Sequence, residues 1–277
     1  MATKRAKKNS TPVSDSSGEL AERHVSMSNL LARAAQGLNL AEKRLVALGL
    51  VNTDSMAASK LFLGANAGWK MRVTAMEYAG VFGVDPTTAY EQLKAASDKL
   101  FERYVRYEVK SRRGQAVEKK FRWVSGAQYA PGEGYVELNF SPEIAPHLLG
   151  LRQQFTTYRL RHAAAFDTVY AWRLYELLKS WQSTGLYRTP IEAFWEVMEV
   201  PPSCRKDFKA LRTRVIEPAV KAISSKGGML VEWAPLRAGS RRVTELEFRF
   251  MPNPQASLGF EVVEDSESLT AAVQPLV

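Results

Sequence analysis

"TAMEYAGVFGVDP" (residues 74–86) and "PIEAFWEVMEVPP" (residues 190–202) are one pattern written twice. Offset by 116 residues, Ala75/Ile191, Tyr78/Phe194, Val81/Val197, Phe82/Met198, Val84/Val200 and Pro86/Pro202 coincide. Each stretch has apolar residues at helical spacing and ends at a proline-containing turn, which stops the helix. A longer periodic segment follows each. In the first copy Asp85 is placed to cap it and Pro86 to fill its first turn. The apolar seam there is Tyr90, Leu93, Ser97, Leu100, Phe101 and Tyr104. In the second copy Ser203 is placed to cap, and Phe208, Leu211, Val215, Ala219 and Ala222 form the seam. Two alternating runs around a basic, Gly-containing turn then follow in both: "RYVRYEVKSRRGQAVEKKFRWV" (103–124) and "GGMLVEWAPLRAGSRRVTELEFRF" (227–250). Short helix, turn, long helix, hairpin is the order of a winged helix-turn-helix. Two matched copies argue for it far more strongly than one.

The sequence around the repeat bounds the rest. A chain of 277 residues accommodates two domains, and a net charge of +9 points to a polyanionic partner. No apolar run approaches the roughly 18–20 residues of a membrane span. The basic N-terminus has no apolar core behind it, so it does not read as a secretory signal, and a cytoplasmic protein is expected. A single cysteine, Cys204, excludes an internal disulfide and any multi-cysteine metal site. Residues 1–24 are polar and without periodicity, which predicts a disordered tail. Residues 251–277 carry four acidic groups and no basic one, a second loose tail. The expected architecture is α+β: a tail over 1–25, winged helices over 26–146 and 147–250, and an acidic tail over 251–277. The second unit includes a linking helix, read from Leu148, Leu151, Phe155, Tyr158 and His162 at spacings of three and four.

"FDTVYAWRLYELLKSW" (166–181) puts Tyr170, Leu174, Leu177, Leu178 and Trp181 on one face. It reads as a core helix, with Asp167 as its cap and Arg173 and Glu176 paired on its flank. Enzyme chemistry finds little support. His24, His147 and His162 are scattered and read as capping or packing residues; no Gly-rich segment ends in Lys-Ser/Thr; no paired carboxylates suggest a two-metal site. Cys204 reads as a small buried residue. No catalytic residue, metal or cofactor is expected.

"TVYAWRLYELLKSW" together with "KDFKALRTRVIEPAVKAI", and "LARAAQGLNLAEKRLVALGLVN" with an Asn/Asp-capped helix from Leu40, resembles the replication initiators of iteron-containing bacterial plasmids. That family is built from two tandem winged helices. The resemblance runs from about residue 26 to about 250. It implies a protein that binds repeated sites in a plasmid origin, helps melt the origin as a monomer and represses its own gene as a dimer. The implied partners are double-stranded DNA, the host chromosomal initiator, the replicative helicase, a chaperone and a second copy of the chain. The first unit would carry the dimer contact. A winged-helix transcriptional regulator with no replication role is the alternative.

Charge assigns the DNA chemistry. Residues 85–104 contain four acidic and three basic side chains, a net of −1; residues 203–226 contain two acidic and seven basic, a net of +5. A basic helix is drawn between phosphate rows and an acidic one is not. The second copy is therefore the expected reading head, through Arg205, Lys206, Asp207, Lys209, Ala210, Thr213 and Arg214. Arg212 lies near the buried seam, where an ion pair is the alternative to DNA contact. Thr87, Thr88 and Lys94 are the corresponding candidates on the first copy. Residues 101–124 hold eight basic and three acidic groups. Arg112, Arg113, Lys119 and Lys120 are thus expected to hold phosphate as a wing, with Arg237, Arg241 and Arg242 doing so in the second.

Overall fold

In the computed structural model the described residues are 13–52, 69–130, 132–148, 154–239 and 242–254. The repeat is realised as two winged helices of identical topology. In the first, strand β2 (Trp69–Thr74) leads into α4 (Ala75–Phe82) and α5 (Pro86–Glu102), and the hairpin β5 (Val124–Ala130) and β6 (Tyr135–Phe140) closes the sheet in the order β2-β6-β5. In the second, β8 (Leu186–Pro190) leads into α9 (Ile191–Val197) and the reading segment, and β9 (Met229–Leu236) with β10 (Glu245–Pro252) gives β8-β10-β9. All pairings are antiparallel. The wing of the first copy is therefore the β5–β6 hairpin, not the basic hairpin expected from residues 103–124. That one, β3 (Tyr104–Lys110) with β4 (Ala116–Arg122), is a separate two-stranded arm inserted between α5 and the true wing.

Local chemistry starts and stops these helices. Thr74 and Glu77 form a reciprocal capping box at α4, and Asp85 Oδ1 accepts from the N–H groups of Thr87 and Thr88 at α5. In the second copy the expected cap, Ser203, is not used. Pro202–Arg205 is only a short turn of helix (α10), and Asp207 accepts from Lys209 N–H to start α11 (Phe208–Leu211). The run continues through a π turn, Arg212–Ile216, into α12 (Glu217–Lys226). Pro218 has no N–H to offer the carbonyl four residues back, and Glu217 N–H bonds instead to Arg212 O, five back. Leu211, Val215, Ala219 and Ile223 are buried along the seam; Phe208 and Ala222 are only half-buried.

Both α4 and α9 end in a left-handed residue, at Gly83 (φ +62°) and Glu199 (φ +52°). These are equivalent positions at the offset of 116. Glycine is at home there; a side chain costs about 1–2 kcal/mol.

Three further elements depart from expectation. The N-terminal region is ordered from Val13: α1 (Val13–Glu22) packs on α4, with Ser17 against Gly80 and Leu20 buried. The expected linking helix over 144–167 is broken into α6 (Ala145–Leu148), strand β7 (Phe155–Arg159) and α7 (Leu160–Ala164). Strand β7 pairs with β1 (His24–Ser28), joining the middle of the chain to its beginning; Leu151 lies outside the described residues. The acidic tail is described only to Pro254, and β10 runs through Pro252.

The centre is made by α3 (Leu40–Asn52), buried on nearly every side, and α8 (Val169–Lys179), buried from Ala171 to Leu178. The short α2 (Asn29–Arg33) packs on α8, and α8 also packs along α12. Trp172 of α8 stands 6.4 Å from Phe82 of α4, centroid to centroid, so α8 touches both winged helices. It is the girder its apolar pattern predicts. Its cap is Thr168, not Asp167, which pairs with Lys226 at 2.8 Å.

Candidate nucleic-acid interface

The second reading segment presents a cationic face, though a narrower one than the sequence suggests. Lys206, Lys209, Thr213 and Arg214 are exposed. Thr213 Oγ1 donates back to Lys209 O at 2.9 Å, so its hydroxyl is held close to the helix. Asp207 is exposed, but one carboxylate oxygen is engaged in capping, and Ala210 is half-buried. Arg205 is a brace. Its guanidinium donates to Val200 O at 2.7 Å and pairs with Glu196, tying the turn of the helix-turn-helix to the start of the reading segment. Arg212 pairs with Glu217 at 2.9 Å, the ion pair left open by its place near the seam. Lys206, Lys209 and Arg214 remain as the cations directed outward from this end.

On the first copy Thr87, Thr88 and Lys94 are exposed along α5, and the Lys94 ammonium sits 5.8 Å from the Tyr129 ring of the true wing. In the second wing Arg237 and Arg242 are exposed, Arg242 reaching Glu192 at 3.3 Å; Arg241 lies outside the described residues.

The inserted arm leaves from the C-terminal end of α5, where Arg122 donates to Phe101 O at 2.7 Å. A 17-residue helix is about 25 Å long, so the arm's root is that far from the end of α5 that a helix-turn-helix offers to DNA. Arg112 and Arg113 occupy its turn. Lys119 and Lys120 are neighbours on a strand and face opposite ways. Lys120 shares a face with its partner Arg106, whereas Lys119 lies across from Tyr107 on the side carrying Val105, Val109, Val117 and Phe121. The four expected phosphate ligands are therefore not a single patch. The root of the arm instead borders a groove of about 600 Å³, lined by Leu30, Arg33, Arg106 and Glu118 on one side and by Ala193 and Glu196 of α9 on the other.

Behind the surface, a buried polar network fastens the pieces. Glu176 accepts from Lys43 Nζ at 2.7 Å, Tyr158 OH at 2.7 Å and Trp172 Nε1 at 3.0 Å, and lies 3.8 Å from Arg173 Nη1. Arg173 and Glu176 are thus core residues, not a flank pair. Burial pushes the Lys43 ammonium down to about 8, against the opposing pull of Glu176. It also lowers Arg173 and raises the Tyr158 phenol. Glu42 caps α3 reciprocally with Asn39 and takes both Nε and Nη2 of Arg103, at 2.9 and 3.1 Å. Sequence reasoning missed Lys43, which sits in the charged run Glu42-Lys43-Arg44 at the start of the helix and so carries no sign of burial.

Among the described residues no three His, Cys, Asp or Glu side chains are grouped to hold a metal, and no helix is long and apolar enough to cross a membrane. His147 is buried against Ser28 Oγ at 2.8 Å, the His162 ring lies over Gly228, and Cys204 is buried.

Two family models cover most of the chain: the WH1 domain of initiator replication proteins over residues 24–179 and the WH2 domain of initiator Rep proteins over 190–250. The chain belongs to the initiator replication protein family. The WH1 match extends past the boundary expected at 146/147 and takes in α8. A 27.6 kDa protein of Escherichia coli with no assigned function is 27% identical over 215 residues, 76% of this chain and 88% of its own. The crystal structure of the Pi initiator protein in complex with iteron DNA superposes with a TM-score of 0.67 at 19% identity, covering 84% of this chain and 99% of that one. The WH1 domain of a replication protein isolated from a multiple sclerosis patient is 34% identical over 40% of this chain and 81% of its own, with a TM-score of 0.31.

Proposed function

We propose that this Rep-family protein initiates plasmid replication by binding direct repeats in the origin, with the second winged helix reading sequence. The observation that carries this is the exposed cluster of Lys206, Lys209 and Arg214 at the start of a helix-turn-helix reading segment. The segment has a net charge of +5, against −1 for its counterpart. The Pi initiator, which shares the fold, is seen on iteron DNA. Thr87, Thr88 and Lys94 supply a second, lighter contact one domain away, and Arg237 and Arg242 hold phosphate beside the reading segment. Bound repeats then serve to open the origin and to recruit the host initiator and helicase. A dimer formed through the first domain represses the protein's own gene. The role is non-catalytic and is exercised in the cytoplasm, where the plasmid is.

The test is competition binding between a direct repeat from the plasmid origin and scrambled DNA. Replacing Lys206 and Lys209 together with Ala removes about 1–3 kcal/mol of discrimination per base contact. A specificity ratio unchanged in the double variant refutes the assignment.

A further inference from the structure

Glu199 occupies a left-handed turn position where the first copy has Gly83, so a side chain is kept at a site that disfavours one. The side chain has a use. Its Oε2 accepts the N–H of Gly37 at 2.8 Å, across 162 residues of sequence. Gly37 lies in the loop between α2 and α3, in the part of the chain matched as WH1; Glu199 lies in the helix-turn-helix turn of WH2. Gly37 is itself left-handed (φ +67°), and a Cβ there would meet Tyr104 O at 3.1 Å, so the loop that offers the N–H is closely held from behind.

A second tie runs parallel to it. Arg173 Nη2 donates to Ala34 O in the same loop and to Val197 O at the end of α9, 2.7 Å away, joining the two domains through one guanidinium. The Glu199 carboxylate also favours the charged forms of Arg173, Arg103 and Lys43, all rooted in the first domain. The turn that orients the second reading segment is thus fastened to the first domain by a charged latch. Gly83, the corresponding turn of the first copy, is exposed, and among the described residues nothing lies within 4 Å of where a Cβ would stand.

We propose that Glu199 is a positioning residue that locks the second reading head to the first domain and thereby fixes the spacing between the two DNA contacts of one protomer. The inference rests on the DNA-binding role proposed above. One base pair inserted between the two half-sites of a repeat turns one against the other by roughly 35°. A locked protein resists that mismatch and an unlocked one adapts.

Glu199→Gly removes the latch while giving the turn the residue that Gly83 shows it accepts; Glu199→Gln keeps an acceptor without the charge. Binding is measured on the native repeat and on repeats with one base pair added or removed between the halves. The expected result is a penalty for the altered spacing that falls at least about threefold in Glu199→Gly and less in Glu199→Gln, with random-duplex affinity unchanged. The interdomain distance distribution is read without DNA by pulsed electron spin resonance, from labels at Lys99→Cys and Lys221→Cys, and broadens in Glu199→Gly. An equal spacing penalty in wild type and Glu199→Gly, or an unbroadened distribution, overturns the latch. A distribution that broadens in a protein with no preference for repeats upholds the latch and sinks the DNA reading instead.

Discussion

Glu176 holds two cations in the core, and its removal makes a sharp test of how α3 and α8 are joined. Its carboxylate is 1% exposed and Lys43 is 3% exposed, so water does not compensate either charge. Arg173 lies beside them, buried, and its Nε and Nη1 have no hydrogen-bond acceptor among the described residues. Glu176→Gln preserves shape and leaves Lys43 and Arg173 side by side with no carboxylate of the described residues within ion-pair distance, only the field of Glu199; the expected loss is about 3–5 kcal/mol. Lys43→Met keeps the apolar stem and leaves Glu176 matched one-to-one with Arg173, still served by Tyr158 and Trp172. Its cost is smaller, about 1.5–3 kcal/mol, the net value of one charged hydrogen bond. The two variants also differ in pH dependence. Folded Lys43 releases its proton near pH 8 and the unfolded lysine near 10.5, so between these values the unfolded chain holds more protons and stability rises with pH. Lys43→Met removes that rise. Urea unfolding followed by tryptophan fluorescence at pH 7, 8 and 9 reads all three quantities. A Glu176→Gln protein within 1 kcal/mol of wild type, or a Lys43→Met protein less stable than Glu176→Gln, would refute the charge count (thresholds set by the usual spread of such measurements, about 1 kcal/mol).

Two more expectations follow from the surface. Arg205→Ala should lower stability by about 1–3 kcal/mol through the loss of its bond to Val200 O, and should weaken the cognate repeat and random duplex by similar factors. A selective loss of the cognate repeat in competition binding would return Arg205 to the reading face. On the inserted arm, replacing Arg112 or Arg113 with Ala is expected to make the negative slope of log K against log salt shallower by about 0.9 each; replacing Lys120, which also pairs with Glu118 at 3.0 Å, should do so by less, and replacing Lys119 not at all. Equal effects of Lys119→Ala and Lys120→Ala would contradict the alternation of β4.

What was legible in the sequence was whatever repeated or alternated strongly. Six matched apolar positions located both helix-turn-helix units, and Asp85, Pro86 and the core use of α8 followed from ordinary capping and periodicity. The true first wing escaped because β5 buries only Val124 outright and carries a bulge beyond it, while the inserted arm beside it alternates strongly and is rich in cations. Strand β7 escaped because Phe155, Tyr158 and His162 fall at helical spacing by accident. The residues buried in it are Thr156 and Tyr158, followed by Leu160, a period of two that runs through a polar side chain. One residue of the expected reading face is occupied for a different reason. A cation in a sequence is not yet a free cation: Arg205 is engaged by Glu196 and Val200 O, and Arg212 makes with Glu217 the ion pair that its place near the seam left open.

The same accounting separates the work of the two copies. A helix N-terminus binds phosphate through its free N–H groups, but Asp85 already takes those of Thr87 and Thr88, and Asp207 takes that of Lys209. Neither reading helix is therefore organised as a backbone phosphate site, and side chains have to carry the attraction. In the second copy the proposed carriers are Lys206, Lys209 and Arg214, all exposed. In the first, the helix offers two threonine hydroxyls and Lys94, and the turn of its true wing presents Glu133 and two glycines, with no cation among its described residues. The densest cluster of cations in the first domain stands on the inserted arm instead, rooted about 25 Å from the reading end of α5. A duplex lying along both reading heads would be gripped mainly at the second. The first reading helix, apart from the arm, would contribute register more than affinity, and register is of use only if the distance between the heads is held. That is why a glutamate at a glycine position, tied across the domain boundary, belongs to the DNA-binding argument as much as any lysine on the surface.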